Sequence, residues 1–356
     1  MNRLAVLNFA LLSLMLVATN SLLAKDITIC RQGQFPVGGT TIQREGTFNP
    51  DTFVGWAEQD QAGQSYRCDH AFVRYQIPAE AKAMPLVFVH GYGGDGVCWE
   101  TTPDDRPGFA TLLLAEGYPT YVLDLPGRGH GSRTSSTVTV EPVADEMFWF
   151  DIWRMGIWPE WNEGIQFPKD SLSVSNFFRQ MVPDLSNHQL DVPALDAMAK
   201  KIGNQVLVTH SAGGFPGWMA AMRNPEVKGV VALEPGGYVF PDSEIPAPLP
   251  GLTGGLKGVG VPMEQFMELT KKPIVIYFGD YIPESNATTL GGSNWEVRLK
   301  MGREFVSAIN RHGGDATLVL LPEIGIKGNS HFLMQELNND VIAKHVAEWL
   351  NMKFQK

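Results

Sequence analysis

From residue 85 onward the chain alternates short apolar runs with longer segments of mixed polarity. Six runs share a continuous apolar character, at 86–89, 120–123, 205–208, 230–233, 274–278 and 317–321. Strands that are apolar on both faces are typical of a parallel sheet covered by helices on its two sides. The pattern therefore predicts an α/β fold with a mostly parallel central sheet flanked by helices.

Two stretches depart from this alternation. Between residues 26 and 78, turn signals such as Gly38-Gly39 separate strand-like runs, which predicts antiparallel strands at one edge of the sheet. Between 141 and 195 the alternation stops, and tryptophan and phenylalanine are frequent. We expect an inserted helical cap here, over the strand ends of a single domain spanning 25–356. Most of its aromatic side chains should pack the cap on the body, and a few should line an apolar pocket.

Residues 1–24 have the composition of a secretory signal peptide. Arg3 supplies a positive charge, an apolar run follows at 4–17, and small residues lead to Ala24. The alternative is an uncleaved membrane anchor, although the run is shorter than the ~20 residues that a bilayer span needs. We therefore predict an exported protein, periplasmic or secreted, with no stable membrane anchor after cleavage.

Export would place the three cysteines, Cys30, Cys68 and Cys98, in an oxidising compartment. A disulfide between Cys30 and Cys68 is then expected, since both belong to the strand-like N-terminal region. The alternative is three buried thiols. No Cys-x-x-Cys or paired histidine spacing occurs, so no metal site is predicted.

Composition and charge narrow the classes of partner. The chain has 356 residues, 44% of them hydrophobic, and can bury a large core. Its formal charge of −10, without a long Lys or Arg run, argues against nucleic-acid binding and against docking on anionic membranes. A homodimer formed through edge strands stays open.

The turn after the run at 205–208 predicts a nucleophile. Ser211 follows this run and precedes a predicted helix, the arrangement of a nucleophile elbow, in which a strained strand-to-helix turn exposes a serine hydroxyl. The strain requires little side chain two positions before and after the serine. Gly213 meets this requirement, whereas Thr209 stands where glycine is usual, so the match is x-x-S-x-G.

The loop after the first parallel strand predicts an oxyanion hole. Residues 90–94 read HGYGG, and such a glycine-rich turn lets backbone N–H groups converge on one point. In hydrolases with a nucleophile elbow, one donor comes from this loop and the other from the residue after the serine. These would be the N–H groups of Tyr92 and Ala212. An ordinary glycine turn is the alternative.

A histidine late in the chain predicts the general base. His331 lies in the loop that follows the last apolar run and precedes a predicted helix. This is the place of the histidine in the order serine, acid, histidine. His331 would take the proton of Ser211 and return it to the leaving group.

Two residues compete for the acid. Glu234 ends the strand after the nucleophile, and Asp280 ends the following strand, which is the usual position. Glu234 would lie only one strand from Ser211, about 4.8 Å across the sheet, and its longer side chain helps it reach the histidine. A buried carboxylate also needs a partner. From the residues alone the choice stays open.

Several motifs carry a likeness to a known family: FVRYQIP at 72–78, CWETTPD at 98–104, DLPGRG at 124–129, THS at 209–211 and GNSH at 328–331. With them the chain resembles a small group of secreted bacterial esterases of the α/β-hydrolase superfamily that have a catalytic glutamate after strand six. The resemblance implies the α/β-hydrolase fold and Glu234 as the acid, with Asp280 as a neighbouring support. The group also lacks the first elbow glycine, in agreement with Thr209. Trp99 is expected in the wall near the site, in a position to contact substrate.

Together these features predict an exported serine hydrolase that cleaves small-molecule carboxylic esters through an acyl-enzyme intermediate. A Ser-His-Glu triad needs no cofactor. An amidase, a lactonase, or a C–C hydrolase or lyase on the same triad is the alternative, because fold does not fix chemistry. A non-catalytic binding module is the alternative of a different class.

Overall fold

The structure is a computed structural model that describes residues 26–56, 60–185 and 188–355. Its centre is an eight-stranded sheet. In chain order the strands are β1 Ile29–Gln43, β2 Ser65–Pro78, β3 Leu86–Val89, β4 Thr120–Asp124, β5 Gln205–His210, β6 Val227–Leu233, β7 Pro273–Phe278 and β8 Asp315–Leu320. They lie in the order β1-β2-β4-β3-β5-β6-β7-β8.

Strands β3 to β8 run parallel to one another, while β2 pairs antiparallel with β4 and β1 pairs antiparallel with β2 at the edge. Nine helices are described: α1 Val97–Glu100, α2 Phe109–Ala115, α3 Glu146–Ile152, α4 Ser171–Arg179, α5 Asp191–Ile202, α6 Gly214–Arg223, α7 Met263–Thr270, α8 Leu290–Arg311 and α9 Asn339–Phe354. The predicted α/β architecture is confirmed, including the antiparallel edge.

Each face of the sheet carries its own apolar core, which explains the continuous apolar runs. One core joins α5, α6, α7 and α8 to the sheet, and the other joins α2 and α9 to the opposite face. All residues of β3 and β5 are buried. Since neighbouring residues of a strand point to opposite faces, both sets must be apolar when helices cover both sides.

The stretch predicted as a cap contains α3, α4 and a small hairpin of Gly156–Ile157 with Glu160–Trp161. Its predicted end at residue 195 falls inside α5. Ala194 and Leu195 are buried in the core that α5 shares with the sheet. This helix therefore belongs to the body, and the insertion ends before Asp191.

The expected disulfide is wrong. Cys30 and Cys68 are free thiols, the first exposed and the second buried. In the β1–β2 register, Cys68 faces Thr40, while Cys30 lies at the other end of β1, next to the pair of Ile29 and Pro78. Ten residues of extended strand separate Thr40 from Cys30, about 33 Å at the usual rise per residue.

The predicted signal peptide at 1–24 lies outside the described residues. Within the described ranges, no helix combines the length and the apolar composition that crossing a membrane requires.

Two short parallel strands, Val239–Pro241 and Val259–Val261, form a separate pair. Single 3₁₀ turns occur at Gly129–Gly131, Ser211–Gly213, Asp242–Glu244 and Leu321–Ile324.

Candidate active site

The turn after β5 has the geometry of a nucleophile elbow. Ser211 follows the last residue of β5 directly, begins the 3₁₀ turn Ser211–Gly213 and has a left-handed φ of 53°. A side chain at Gly213 would collide with the carbonyl oxygen of His90. This strained turn projects Ser211 beyond the strand end, where a ligand of an α/β sheet binds.

Thr209 is accommodated by the helix that follows it. Its side chain is fully buried, and a Cβ at Gly217 of α6 would lie 2.7 Å from the Thr209 methyl group. A glycine on the helix therefore supplies the room that a glycine on the strand usually provides. The unusual x-x-S-x-G pattern has its structural reason in this contact.

His331 and Glu234 form a buried pair. Nδ1 of His331 lies 2.6 Å from Oε2 of Glu234, and both side chains are at most 1% exposed. Nδ1–H donates to the carboxylate, so Nε2 is the acceptor nitrogen of the neutral ring. His331 lines the same cavity as Ser211. Burial lowers the pKa of His331 to about 4, although the Glu234 carboxylate favours the charged ring.

Arg154, in the cap, completes the surroundings of Glu234. Its Nη1 donates to Oε2 at 3.0 Å and its Nη2 to Oε1 at 2.5 Å, and the backbone N–H of Gly279 donates to Oε1 at 2.8 Å. Burial opposes the charge of Glu234, but Arg154 and His331 outweigh it and hold the pKa at about 2. Sequence reasoning missed Arg154.

Asp280 contacts the histidine loop rather than the histidine ring. Its carboxylate accepts the backbone N–H groups of Tyr281 at 2.8 Å and Gly328 at 3.0 Å. Its own backbone N–H donates to the carbonyl of Asn329. The structure thus brings Glu234 to His331 and places Asp280 as a support of the loop.

A second buried carboxylate, Glu336, also holds this loop. It accepts the backbone N–H of Ser330 and the side-chain amide of Asn329, both at 2.6 Å. Burial raises the pKa of Glu336 to about 7. Sequence reasoning missed this residue, although a carboxylate five positions after the predicted base is a signal that could have found it.

His210 braces the base from the nucleophile side. Its ring centroid lies 4.4 Å from that of His331, and its Nε2 donates to the backbone carbonyl of His331 at 3.0 Å. Burial holds the pKa of His210 well below its usual range, so the ring is neutral. On the other side the indole of Trp295 packs 4.1 Å from the His331 ring.

Gly91 explains the glycine of the predicted oxyanion loop. A Cβ at this position would lie 2.8 Å from Cβ of Ser211, so only glycine lets the loop pass so close. Tyr92 and Ala212 both line the cavity beside Ser211. The structure therefore places the two residues that are expected to supply these donors beside the nucleophile.

The cavity over Ser211 has a volume of about 410 Å³. Aromatic residues form much of its wall: Tyr92, Phe148, Trp149, Trp153, Phe215, Trp295 and Phe332. Three of these, Phe148, Trp149 and Trp153, come from the cap region. Other cap aromatics pack among themselves, as Phe150 and Trp161 do at 4.7 Å.

Trp99 lies behind the site. Its side chain is fully buried and its ring packs against Phe88 at 5.2 Å and edge-on to His210 at 6.3 Å. It is absent from the cavity wall. Trp99 therefore packs behind His210, which lines the cavity, and does not occupy the expected position in the wall in contact with substrate.

Three comparisons place this arrangement among known proteins. Residues 86–299 match the model of the alpha/beta hydrolase family. The probable secreted lipase phiG from Fungal sp. (strain ATCC 74256) is 28% identical over 325 residues, which cover 81% of this chain and 87% of that protein. The solved structure of a novel bacterial esterase is 30% identical, with a TM-score of 0.73 over 93% of this chain and 98% of that one.

Proposed function

We propose a function from one premise: this chain belongs to the alpha/beta hydrolase family. It is a serine hydrolase that cleaves carboxylic esters. Ser211 is the nucleophile, His331 the general base, and Glu234 the acid that orients His331. The similar proteins, a probable secreted lipase and a bacterial esterase, support esters over amides as the substrate class.

One observation carries the proposal: a histidine bound to a buried, ionised carboxylate shares a cavity with a serine on a strained turn. The carboxylate fixes the tautomer that leaves Nε2 free to accept a proton. Burial opposes the charge of Glu234, but Arg154 and His331 hold its pKa at about 2, so this carboxylate is ionised at neutral pH.

The reaction proceeds in two halves. Ser211 Oγ attacks the ester carbonyl while His331 takes its proton, and the N–H groups of Tyr92 and Ala212 stabilise the oxyanion. His331 then protonates the leaving alcohol, which departs from the acyl-enzyme. In the second half water attacks with the same assistance, and the carboxylic acid is released.

We also propose that the protein is exported. The composition of residues 1–24 and the secreted character of the similar fungal lipase support this proposal. Detection of a processed chain outside the cytoplasm, with a new N-terminus near residue 25, is the expected result. An unprocessed, cell-associated chain would contradict it.

Ser211→Ala tests the nucleophile. Hydrolysis of p-nitrophenyl butyrate should fall by about 10⁴-fold or more, and a fluorophosphonate probe should no longer label the protein. Ser307→Ala, at an exposed helix position, is the matched control and should retain activity and labelling. Equal activity of the Ser211→Ala variant and the wild type would refute the proposal. Comparison with the corresponding p-nitroanilide separates an esterase from an amidase.

A further inference from the structure

The aromatic wall of the active-site cavity is interrupted by a polar patch, formed by Thr253, Asn294 and Arg298. Asn294 and Arg298 lie one turn apart on α8, and Thr253 comes from a separate loop. Thr253 Oγ1 donates to the Asn294 side-chain oxygen at 3.1 Å. The patch faces the same space as Ser211, so a molecule bound at the serine can reach it.

Arg298 is held in place by one edge of its guanidinium group. Nη1 donates to the backbone carbonyl and to the side-chain oxygen of Asn294, both at 2.7 Å. The guanidinium carbon lies 5.4 Å from the centre of the Trp295 ring. In the part of the chain that the structure describes, Nε and Nη2 form no hydrogen bond. Nε and Nη2 of the planar guanidinium group are thus available to donate hydrogen bonds to a ligand.

No carboxylate balances this charge among the described residues. Burial lowers the pKa of Arg298 and Tyr238 acts in the opposite direction, while no Asp or Glu of the described residues forms an ion pair with it. Arg128 and Arg154, which are more deeply buried than Arg298, are paired with Asp184 at 2.6 Å and Glu234 at 2.5 Å. The chain has 38 acidic residues against 28 Lys and Arg, so the missing partner does not reflect a shortage of carboxylates.

We propose that Arg298 binds a carboxylate carried by the substrate, so that the preferred substrates are esters with a second, free acid group. This inference rests on the proposed function, because it uses Ser211 as the point of cleavage. Arg298 is partly buried, its Nε and Nη2 have no protein acceptor, and its planar fork matches a carboxylate. The aromatic wall would enclose the carbon chain between the ester and the acid.

The acid group can lie on the acyl side or on the alcohol side of the ester, and substrate pairs separate the two sources. For the acyl side, monomethyl esters of dicarboxylic acids with four to eight carbons are compared with the same molecules in which a primary amide replaces the acid. For the alcohol side, the acetate ester of 6-hydroxyhexanoate is compared with its amide. Each pair keeps shape and differs in charge.

The wild type should prefer the charged member of at least one series by about 10- to 100-fold in kcat/KM, mainly through KM. Along the acyl series the preference should peak at the chain length that spans the cavity. Arg298→Met should abolish the preference while neutral esters are still hydrolysed, and Arg298→Lys should restore part of it. Arg303→Met is the matched control, since Arg303 lies on the same helix and pairs with the exposed Glu284.

Binding to the Ser211→Ala variant separates this inference from the proposed function. Calorimetry should show tighter binding of the charged ester than of its amide, and this difference should vanish in Ser211→Ala/Arg298→Met. Hydrolysis of neutral esters without a charge preference on either side would overturn the inference and leave the esterase intact. Equal binding of acid and amide would overturn it too, whatever the activity. If no ester reacts but the charged ester still binds more tightly than its amide, the proposed esterase activity is overturned, while the binding of a carboxylate by Arg298 is retained.

Discussion

Two arginines lie against the same tryptophan, and they differ in burial and in the partner of the guanidinium group. The guanidinium carbons of Arg154 and Arg298 are 5.1 Å and 5.4 Å from the Trp295 ring centre. Arg154 donates two hydrogen bonds to Glu234, whereas Arg298 donates only to oxygens of Asn294. The first charge is used inside the protein to keep a carboxylate ionised. The second is available to a ligand.

The comparison teaches that residue type and contact with the same ring do not by themselves assign a role. The partner decides, because a paired buried charge contributes to the protein's own architecture while an unpaired one needs an external partner. The same substitution at the two arginines should therefore have different consequences.

The largest expected effect comes from substitution of Glu234, the carboxylate to which Arg154 donates its hydrogen bonds. Glu234→Gln should lower kcat by about 10³- to 10⁴-fold, because His331 loses the group that fixes its tautomer and stabilises its charged form. Steady-state hydrolysis of p-nitrophenyl butyrate measures this loss. Asp280→Asn is the comparison variant and should lower kcat much less, since Asp280 bonds to loop backbone. The reverse order would assign the acid to Asp280.

Arg154→Met should lower the free energy of unfolding by about 3–5 kcal/mol, because it leaves the Glu234 charge buried without its partner. Urea denaturation measures the change. Glu234→Gln/Arg154→Met should be less destabilising than the sum of the two single variants, since no buried charge remains unpaired. Strict additivity would show that the pair makes no net contribution.

The pH profile should reflect the low pKa of His331. Protonated His331 cannot accept the serine proton, so kcat/KM should be retained below pH 6 and fall as the pH approaches about 4. Burial is the main cause, and the charges of Arg154 and Arg298 act in the same direction, whereas Glu234 opposes them. Arg298→Met should therefore move the acid limb to higher pH. An acid limb near pH 6.5 in the wild type would contradict the lowering of the His331 pKa by burial and by the two arginines.

The smallest expected effect is on the stability of the Arg298→Met variant. Removal of an unpaired, partly buried charge should change the free energy of unfolding by no more than about 1 kcal/mol in either direction. Urea denaturation of the Arg298→Met and Arg154→Met variants under the same conditions compares their free energies of unfolding directly. A loss equal to that of Arg154→Met would show that Arg298 has a structural partner after all.

The sequence was sufficient for the parts of the site that have local signatures. Ser211 follows a buried strand, and His331 lies in a loop between a strand and a helix. The sequence pattern of strands, loops and helices therefore predicts both positions. Thr209 fits within the predicted elbow, but its compensation by Gly217 depends on the packing of α6, which no local pattern encodes.

Other parts depend on distances between remote segments, which no local pattern encodes. The choice between Glu234 and Asp280 stayed open from the residues because both end neighbouring strands, and only the path of the histidine loop separates them. The disulfide failed because the β1–β2 register puts Cys30 and Cys68 far apart. Arg154 lies in an irregular part of the cap, so no repeating pattern predicts its contact with Glu234. An arginine in a segment rich in tryptophan was nevertheless a signal, because a buried arginine needs an acidic partner.

The contact between Thr209 and Gly217 has a consequence for redesign of the elbow. Glycine at position 217 makes room for the methyl group of Thr209, so the side chains at the two positions constrain each other. A conventional glycine at 209 would leave a small void, which an alanine at 217 could fill, whereas alanine at 217 alone would overpack the turn. Conversion of this elbow to the conventional form therefore has to change both positions together or pass through a less stable single variant.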